Sequence, residues 1–328
     1  MAMNETSFDN KEDANDVVWI LTSSFLIFTM QSGYGLLESG FVSRKNEVNI
    51  LVKNATTVLF GGLMFWAVGY GIGFDPMKNP YFSFGKFFTS ADESHMGQRY
   101  SRFVFQLAYA TTSTALVSGS MAERTKFTSY CLFSALATAV YCVPAGWLWN
   151  RGGFLARMEA VDIGGSGVVH LLGGCVGLVA AVVLGPRLGR YDTGTAPLPL
   201  GNPTNALLGL FMLWWGWLGF SAGSTMGIVR NKWKYSARAS VTTILASMTG
   251  GFVGMSMRTP CAFSCHSQLI KYTIGLRMTP EEEILGPDLV DHDIEHDYNS
   301  PFLRALQEHY RAGHTLKALE SKVDILRA

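Results

Sequence analysis

A single imidazole stands in a long uncharged run. Residues 162–184 read DIGGSGVVHLLGGCVGLVAAVVL, and beyond Asp162 the one side chain that titrates near neutral pH is His170. About twenty such residues are enough to cross the hydrocarbon core of a bilayer. In that solvent every backbone N–H and C=O must be paired within the segment, which makes it a helix. If the helix is continuous, His170 lies two turns beyond Asp162, roughly 12 Å deeper at about 1.5 Å per residue. An imidazole at that depth needs a partner, and two readings stay open: a packing residue hydrogen-bonded to a neighbouring Ser, Thr or carbonyl, or a group lining a solute path. Gly164, Gly165, Gly167, Gly173, Gly174 and Gly177 give the segment a nearly smooth side that lets neighbouring backbones come close.

The rest of the chain fits a membrane setting. Of 328 residues 48% are hydrophobic and only 16% charged, well under the quarter usual for soluble domains, which argues against an ordinary soluble enzyme. Lys and Arg (26) balance Asp and Glu (25), so nothing points to nucleic acid. Cys131, Cys142 and Cys175 fall in apolar runs as small hydrophobes, and no disulfide framework is implied. The first fifteen residues are polar and lack the apolar core of a cleaved signal peptide, so the first apolar run would itself direct insertion. Asn4-Glu5-Thr6 is a glycosylation sequon, relevant if that end is outside. Cys261, Cys265 and His266, and separately His292 and His296, invite a metal, but neither group supplies four ligands locally. No metal, cofactor or catalytic constellation is expected, and the chain reads as a non-enzyme.

Hydropathy gives about seven apolar segments, at roughly 17–37, 49–74, 103–122, 127–149, 163–185, 204–227 and 239–257. The short links 43–49, 122–127 and 185–192 carry Arg44, Lys45, Arg124, Lys126, Arg187 and Arg190, and the positive-inside rule puts them in the cytoplasm. The opposite loops also carry basic residues, among them Lys78, Lys86 and Arg99. This topology makes 1–16 an extracellular segment, 17–257 a transmembrane domain, and 258–328 a cytoplasmic tail whose Leu316, Leu319, Val323 and Leu326 mark a short amphipathic helix. Gln31, Gly33, Gly35 and Glu38 suit a helix–helix contact, and Lys53 can snorkel from the inner end of the second span. Phe105 and Tyr109 project from one helix face, more simply as packing than as ligand contacts. Trp147 and Trp149 read as an interfacial belt. Trp214, Trp215, Trp217 and Phe220 exceed what anchoring one span requires.

Taken together, WILTSSFLIFTMQSGYGLLESGFVSRKNEVNILVKN (19–54), FQLAYATTSTALVSGSMAERTKF (105–127), DIGGSGVVHLLGG (162–174) and GWLGFSAGS (216–224) resemble the ammonium transporter/Rh superfamily, on the ammonium transporter side. The matches run in family order from residue 16 to about 254, the first of them most like animal members. The resemblance implies an all-α integral membrane protein with about seven transmembrane helices, the first five-helix repeat of the transporter bundle plus part of the second. It also implies ammonium transport: NH4+ recruited at an outer vestibule of Phe105, Trp149 and Ser224, a gate of Tyr109 and Phe220, and ammonia passing, with or without its proton, through an apolar pore lined by His170. Asp162 matches a carboxylate that supports the vestibule backbone. Implied partners are ammonium, ammonia or methylammonium, the lipid bilayer of the cell membrane, and other subunits in a homotrimer or a mixed trimer with full-length relatives.

The chain departs from the family pattern of eleven spans with a second pore imidazole in the tenth. Roughly spans eight to eleven are missing, and residues 267–298 resemble the end of the last span running into the tail. Two alternatives therefore stay open beside transport: a non-conducting regulatory or degenerate member assembling with full-length subunits, and, more remotely, a seven-span receptor.

Overall fold

Seven long helices carry the chain: α1 Glu5–Phe41, α2 Arg44–Gly73, α3 Met96–Met121, α4 Phe127–Trp149, α5 Ser166–Leu184, α6 Pro203–Gly223 and α7 Lys232–Arg258. The computed structural model describes residues 5–187, 191 and 201–258, and among these there is no β-strand. The expected tail helix, the Cys261, Cys265, His266, His292 and His296 groups and the 267–298 stretch lie outside the described residues. Residues up to Met248 form one packing unit; of the second, only the last turns of α7 are described.

Among the described residues five segments are long and apolar enough to cross a membrane: Ala14–Phe41, Arg44–Gly73, Phe127–Arg157, Ser166–Leu184 and Pro203–Gly223; of the seven expected spans, those on α3 and α7 do not reach that mark. The third helix falls short for a physical reason. Its middle is wrapped by its neighbours, and Thr111, Thr112, Ser113, Thr114 and Ser118 are all buried against other helices. Gln31 of α1 donates to the Thr111 and Thr112 hydroxyls (3.2 Å each), Ser113 donates to the Val169 carbonyl of α5 (3.1 Å), and Thr114 meets Thr138 of α4 (3.3 Å).

The closest helix pair is α1 with α6, running antiparallel. Gly209, Gly216 and Gly223 recur every seventh residue of α6, and a Cβ at each would fall 2.2 Å from Leu37 N, 2.3 Å from Met30 Cγ and 2.4 Å from Ser23 Cβ. Without those side chains the backbones approach to contact, the small-residue packing that apolar solvent favours. Gly33, expected at such a contact, meets Leu213. On α5 the glycine side is only partly used: Gly173 lies against Ser113 and Leu116, whereas Gly164 and Gly174 face open space.

The three basic links share one end of the bundle. Glu123, after α3, accepts hydrogen bonds from Ser43 N (2.9 Å), Ser43 Oγ (2.7 Å) and Asn46 Nδ2 (3.1 Å), and pairs with Arg187 after α5. Lys53 corrects its expectation. It does not snorkel to the surface but is fully buried, its ammonium donating to the Ala122 (2.9 Å) and Thr125 (2.8 Å) carbonyls. The end of α3 leaves carbonyls without helical partners, so a cation there is the natural cap.

Two boundaries also differ from the sequence reading. The first helix starts at Glu5, well before the apolar run at 17, and α7 starts at Lys232 rather than near 239. The latter start is fixed by α1: Asp16 accepts from Ile228 N (2.6 Å) and Val229 N (2.9 Å) and pairs with Lys232 (3.3 Å).

Candidate functional site

The fifth span does not begin at Asp162. Gly165 takes φ +75°, a left-handed conformation open to glycine, and the helix starts at Ser166 with a wide turn through Leu171. The Gly165 carbonyl accepts from both Val169 N (2.8 Å) and His170 N (3.1 Å). Asp162 stands outside as the cap. One carboxylate oxygen accepts from Ser166 N (2.9 Å), the other from Gly167 N (2.8 Å) and Val168 N (3.3 Å). A carboxylate at this position satisfies N–H groups that a helix start leaves orphaned and complements its dipole. His170 is therefore about one turn below the cap, not two turns below Asp162 within a single helix.

The Asp162 backbone ties this cap to α4, because its carbonyl accepts from Trp149 Nε1 (2.7 Å). The Trp149 indole is thereby held with its edge toward Tyr109, centroids 5.7 Å apart at 73°. One turn apart on α3, Phe105 and Tyr109 stack at 4.7 Å and 29°. The Tyr109 ring then lies face to face on Phe220 of α6 at 4.1 Å and 11°. At that separation the rings are in contact and close the space between them. The tyrosine hydroxyl lies 2.5 Å from Ser224 Oγ and 2.9 Å from the Phe220 carbonyl, to which Ser224 also donates (2.6 Å). Phe105, Tyr109 and Phe220 are buried, Trp149 and Ser224 half-buried. Ring faces and a hydroxyl beside them can replace part of the water around a small cation, each cation–π contact contributing about 0.5–2 kcal/mol.

Next to Phe220 sits His170, its ring on Trp217 (centroids 5.3 Å, 18°) and tilted toward Phe220 (5.6 Å, 48°). Nε2 is buried and has no hydrogen-bond partner among the described residues. The expected Ser, Thr or carbonyl partner is not found for this nitrogen; the ring is held by stacking. Leaving a buried polar atom unpaired costs about 1–3 kcal/mol, and His170 shares this state with other buried groups such as Gln106 Oε1 and Tyr141 OH. Trp217 was singled out in sequence only as one of several rings. Its signal was the three-residue step to Phe220, which puts both rings on one side of α6.

All seven residues singled out in the sequence, Phe105, Tyr109, Trp149, Asp162, His170, Phe220 and Ser224, come from four helices and the turn before α5 and meet in one cluster. Two cavities lie elsewhere. One of about 520 Å³ lies at the basic-link end beside Leu37, Glu38, Glu123, Arg124 and Arg187, and one of about 190 Å³ lies among α3, α4 and α5 beside Val117, Val140 and Val176. Neither is lined by His170. The expected conduit therefore does not run as an enclosed channel through either of them.

Residues 18–260 match the family described as Ammonium Transporter Family. A Caenorhabditis elegans relative is 46% identical over 254 residues, covering 74% of this chain and 37% of the relative. The ammonium transporter Amt2 of Archaeoglobus fulgidus is 39% identical over 266 residues, covering 77% of this chain and 56% of that protein. Among solved structures, Candida albicans Mep2 superposes with a TM-score of 0.67 at 27% identity, covering 76% of this chain and 57% of Mep2. The chain thus spans 37% and 56% of the lengths of the two relatives it matches in sequence.

Proposed function

The chain belongs to the ammonium transporter family, and on that premise we propose that it serves ammonium transport across the cell membrane, with the Trp149 end of the bundle facing outward. Ammonium is received where Phe105, Trp149 and Ser224 converge. Their ring faces and hydroxyl stand in for water around a cation that carries four N–H donors. Beneath them Tyr109 and Phe220 form a gate that must separate before anything passes, since their rings are in contact.

An intact ion is expensive to carry into an apolar passage, whereas ammonia is cheap. On this reading ammonium gives its proton to the neutral imidazole of His170, next in line below the gate, which becomes imidazolium while ammonia goes on. A neutral imidazole can donate on one nitrogen and accept on the other, and here Nε2 has no hydrogen bond to the protein among the described residues. Asp162 acts by holding the start of α5 and the Trp149 indole in place, not by touching the cation. One observation carries the reading: Phe105, Tyr109 and Phe220 stack in a column, and beside Phe220 lies the His170 ring, tilted to it and stacked on Trp217, with Nε2 lacking a hydrogen bond among the described residues.

The test is uptake of radiolabelled methylammonium by cells making this chain and lacking other carriers. Saturable uptake that falls by at least about tenfold on His170→Ala, a loss of the size general acid–base groups carry, supports the proposal. No uptake from a correctly inserted chain ends it.

A second reading has its own observation. His170 is only half-buried, and the chain spans 37% to 60% of the lengths of the curated relatives it matches. On this reading the chain keeps the outer site and assembles in a trimer with full-length relatives without conducting. Co-purification with such a relative, together with no uptake by the chain alone, selects it.

A further inference from the structure

We propose that residues 81–89, YFSFGKFFT, form a membrane-inserted strap, an aromatic-tipped segment lying in the interfacial region of one leaflet against acyl chains and headgroups. The argument begins with the backbone. After α2 ends at Gly73 the chain turns and runs back along the same helix. Ser83 N donates to the Ile72 carbonyl (3.1 Å), Gly85 N to Gly71 (3.2 Å), Phe88 N to Ala67 (2.8 Å) and Thr89 N to Trp66 (3.1 Å). The acceptors step backward by six residues, about 9 Å along a helix axis. A polar backbone can enter the apolar margin of a bilayer only where its N–H groups find protein acceptors. These carbonyls supply them, partly because the last turn of a helix leaves its C=O groups free, and the wide turn at Phe65–Gly69 lies beside the deepest pair.

The side chains point to lipid as the occupant. Tyr81, Phe82, Phe84, Phe87 and Phe88 are all exposed, Phe84 to 79% and Phe88 to 62%. Five exposed rings in eight residues exceed what a water-facing loop carries. The strap also continues a surface already committed to lipid: Phe88 packs edge-on against Trp66 (5.3 Å, 73°), and Trp66 lies on the same helix as the exposed Leu59, Phe60 and Leu63. Lys86 is exposed amid the rings, where a flexible ammonium can reach headgroup phosphates while its stem stays apolar.

The shape is held on purpose. Phe88 sits at φ +54°, uncommon for a residue with a side chain. Gly85 leaves no room for a Cβ, which would fall 2.2 Å from the Asp75 side chain. Asp75 in turn accepts from Lys86 N (2.7 Å) and pairs with Arg99 (2.9 Å).

The experiment uses the full chain in phosphatidylcholine–phosphatidylglycerol vesicles, spin-labelled in turn at Asn79→Cys, Phe84→Cys and Phe88→Cys. The signal of the labelled unsubstituted chain is subtracted to remove its native cysteines. Collision with oxygen, which partitions into lipid, is compared with collision with a water-soluble nickel chelate. The oxygen-to-nickel ratio is expected to rise from Asn79 to Phe84 to Phe88, several-fold in all, and labelled chain that inserts but loses the gradient counts against the proposal. Ratios at Phe84 and Phe88 equal to Asn79 mean a hydrated loop and overturn it. Low collision with both reagents means burial against another protein copy and overturns it equally.

Discussion

The two ends of α3 are joined to the rest of the bundle by different means, although carboxylates such as Asp16, Asp75 and Asp162 tie other segments at the aromatic end. At the basic-link end the joints are charged and hydrogen-bonded: Lys53 caps α3, Glu123 gathers Ser43, Asn46 and Arg187, and Glu38 accepts from Ser118 (2.5 Å) and Asn54 (2.6 Å). At the other end α3 and α6 meet through stacked rings, helped by the tyrosine hydroxyl, and His170 of α5 lies beside them with no hydrogen bond at Nε2 among the described residues. Buried charges fix a geometry because breaking them leaves an uncompensated group behind. Ring stacks are worth about 0.5–1.5 kcal/mol beyond area burial and can part without orphaning a charge. On the proposed function, the difference teaches where a gate could open: the stacked aromatic end of α3 would part more cheaply than the hydrogen-bonded end, which would act as its frame.

The largest effect that would break this contrast is at Lys53. Lys53→Ala removes two charge-assisted hydrogen bonds made by a fully buried side chain, an expected loss of about 3 kcal/mol or more. Equilibrium unfolding in mixed detergent reads it, and a loss below about 1 kcal/mol would mean that the end of α3 is capped by something else. Glu38→Ala comes next. It leaves the Asn54 amide without its closest partner while Ser118 keeps its bond to the Ala115 carbonyl, for an expected loss of about 2 kcal/mol. Glu38→Gln should recover most of it in the same assay. The smallest change is Tyr109→Phe. The stack survives, Ser224 still donates to the Phe220 carbonyl, and stability should fall by about 1 kcal/mol or less. A larger loss than at Lys53 would reverse the assignment of frame and gate.

Much of this was legible in the residues. The apolar runs marked the seven long helices, five of which are apolar enough to span, and the described parts of the basic links did come together at one end. Phe105 and Tyr109, four apart, read as one helix face, more simply packing than ligand contact, and the resemblance alone joined them to Phe220 and Ser224. What sequence could not supply was tertiary. Lys53 looked like a snorkelling lysine because nothing local reveals that the end of α3, some seventy residues on, arrives over it. Asp162 looked like the first residue of a span, because a continuous apolar pattern hides a left-handed turn at Gly165 that only packing against Tyr109 and Val169 makes visible. Polarity on α3 reads in sequence as a weak span and in the fold as the innermost helix.

The most direct test of the central claim is equilibrium binding of methylammonium to the purified, folded chain, followed through the fluorescence of its tryptophans. Saturable binding is predicted, weakened at least about tenfold by Phe105→Ala or Ser224→Ala, the loss of one good contact at roughly 1.4 kcal/mol, and unchanged by Glu38→Gln at the other end. Binding that ignores both vestibule substitutions, or that vanishes with Glu38→Gln while both vestibule variants bind normally, would contradict the account.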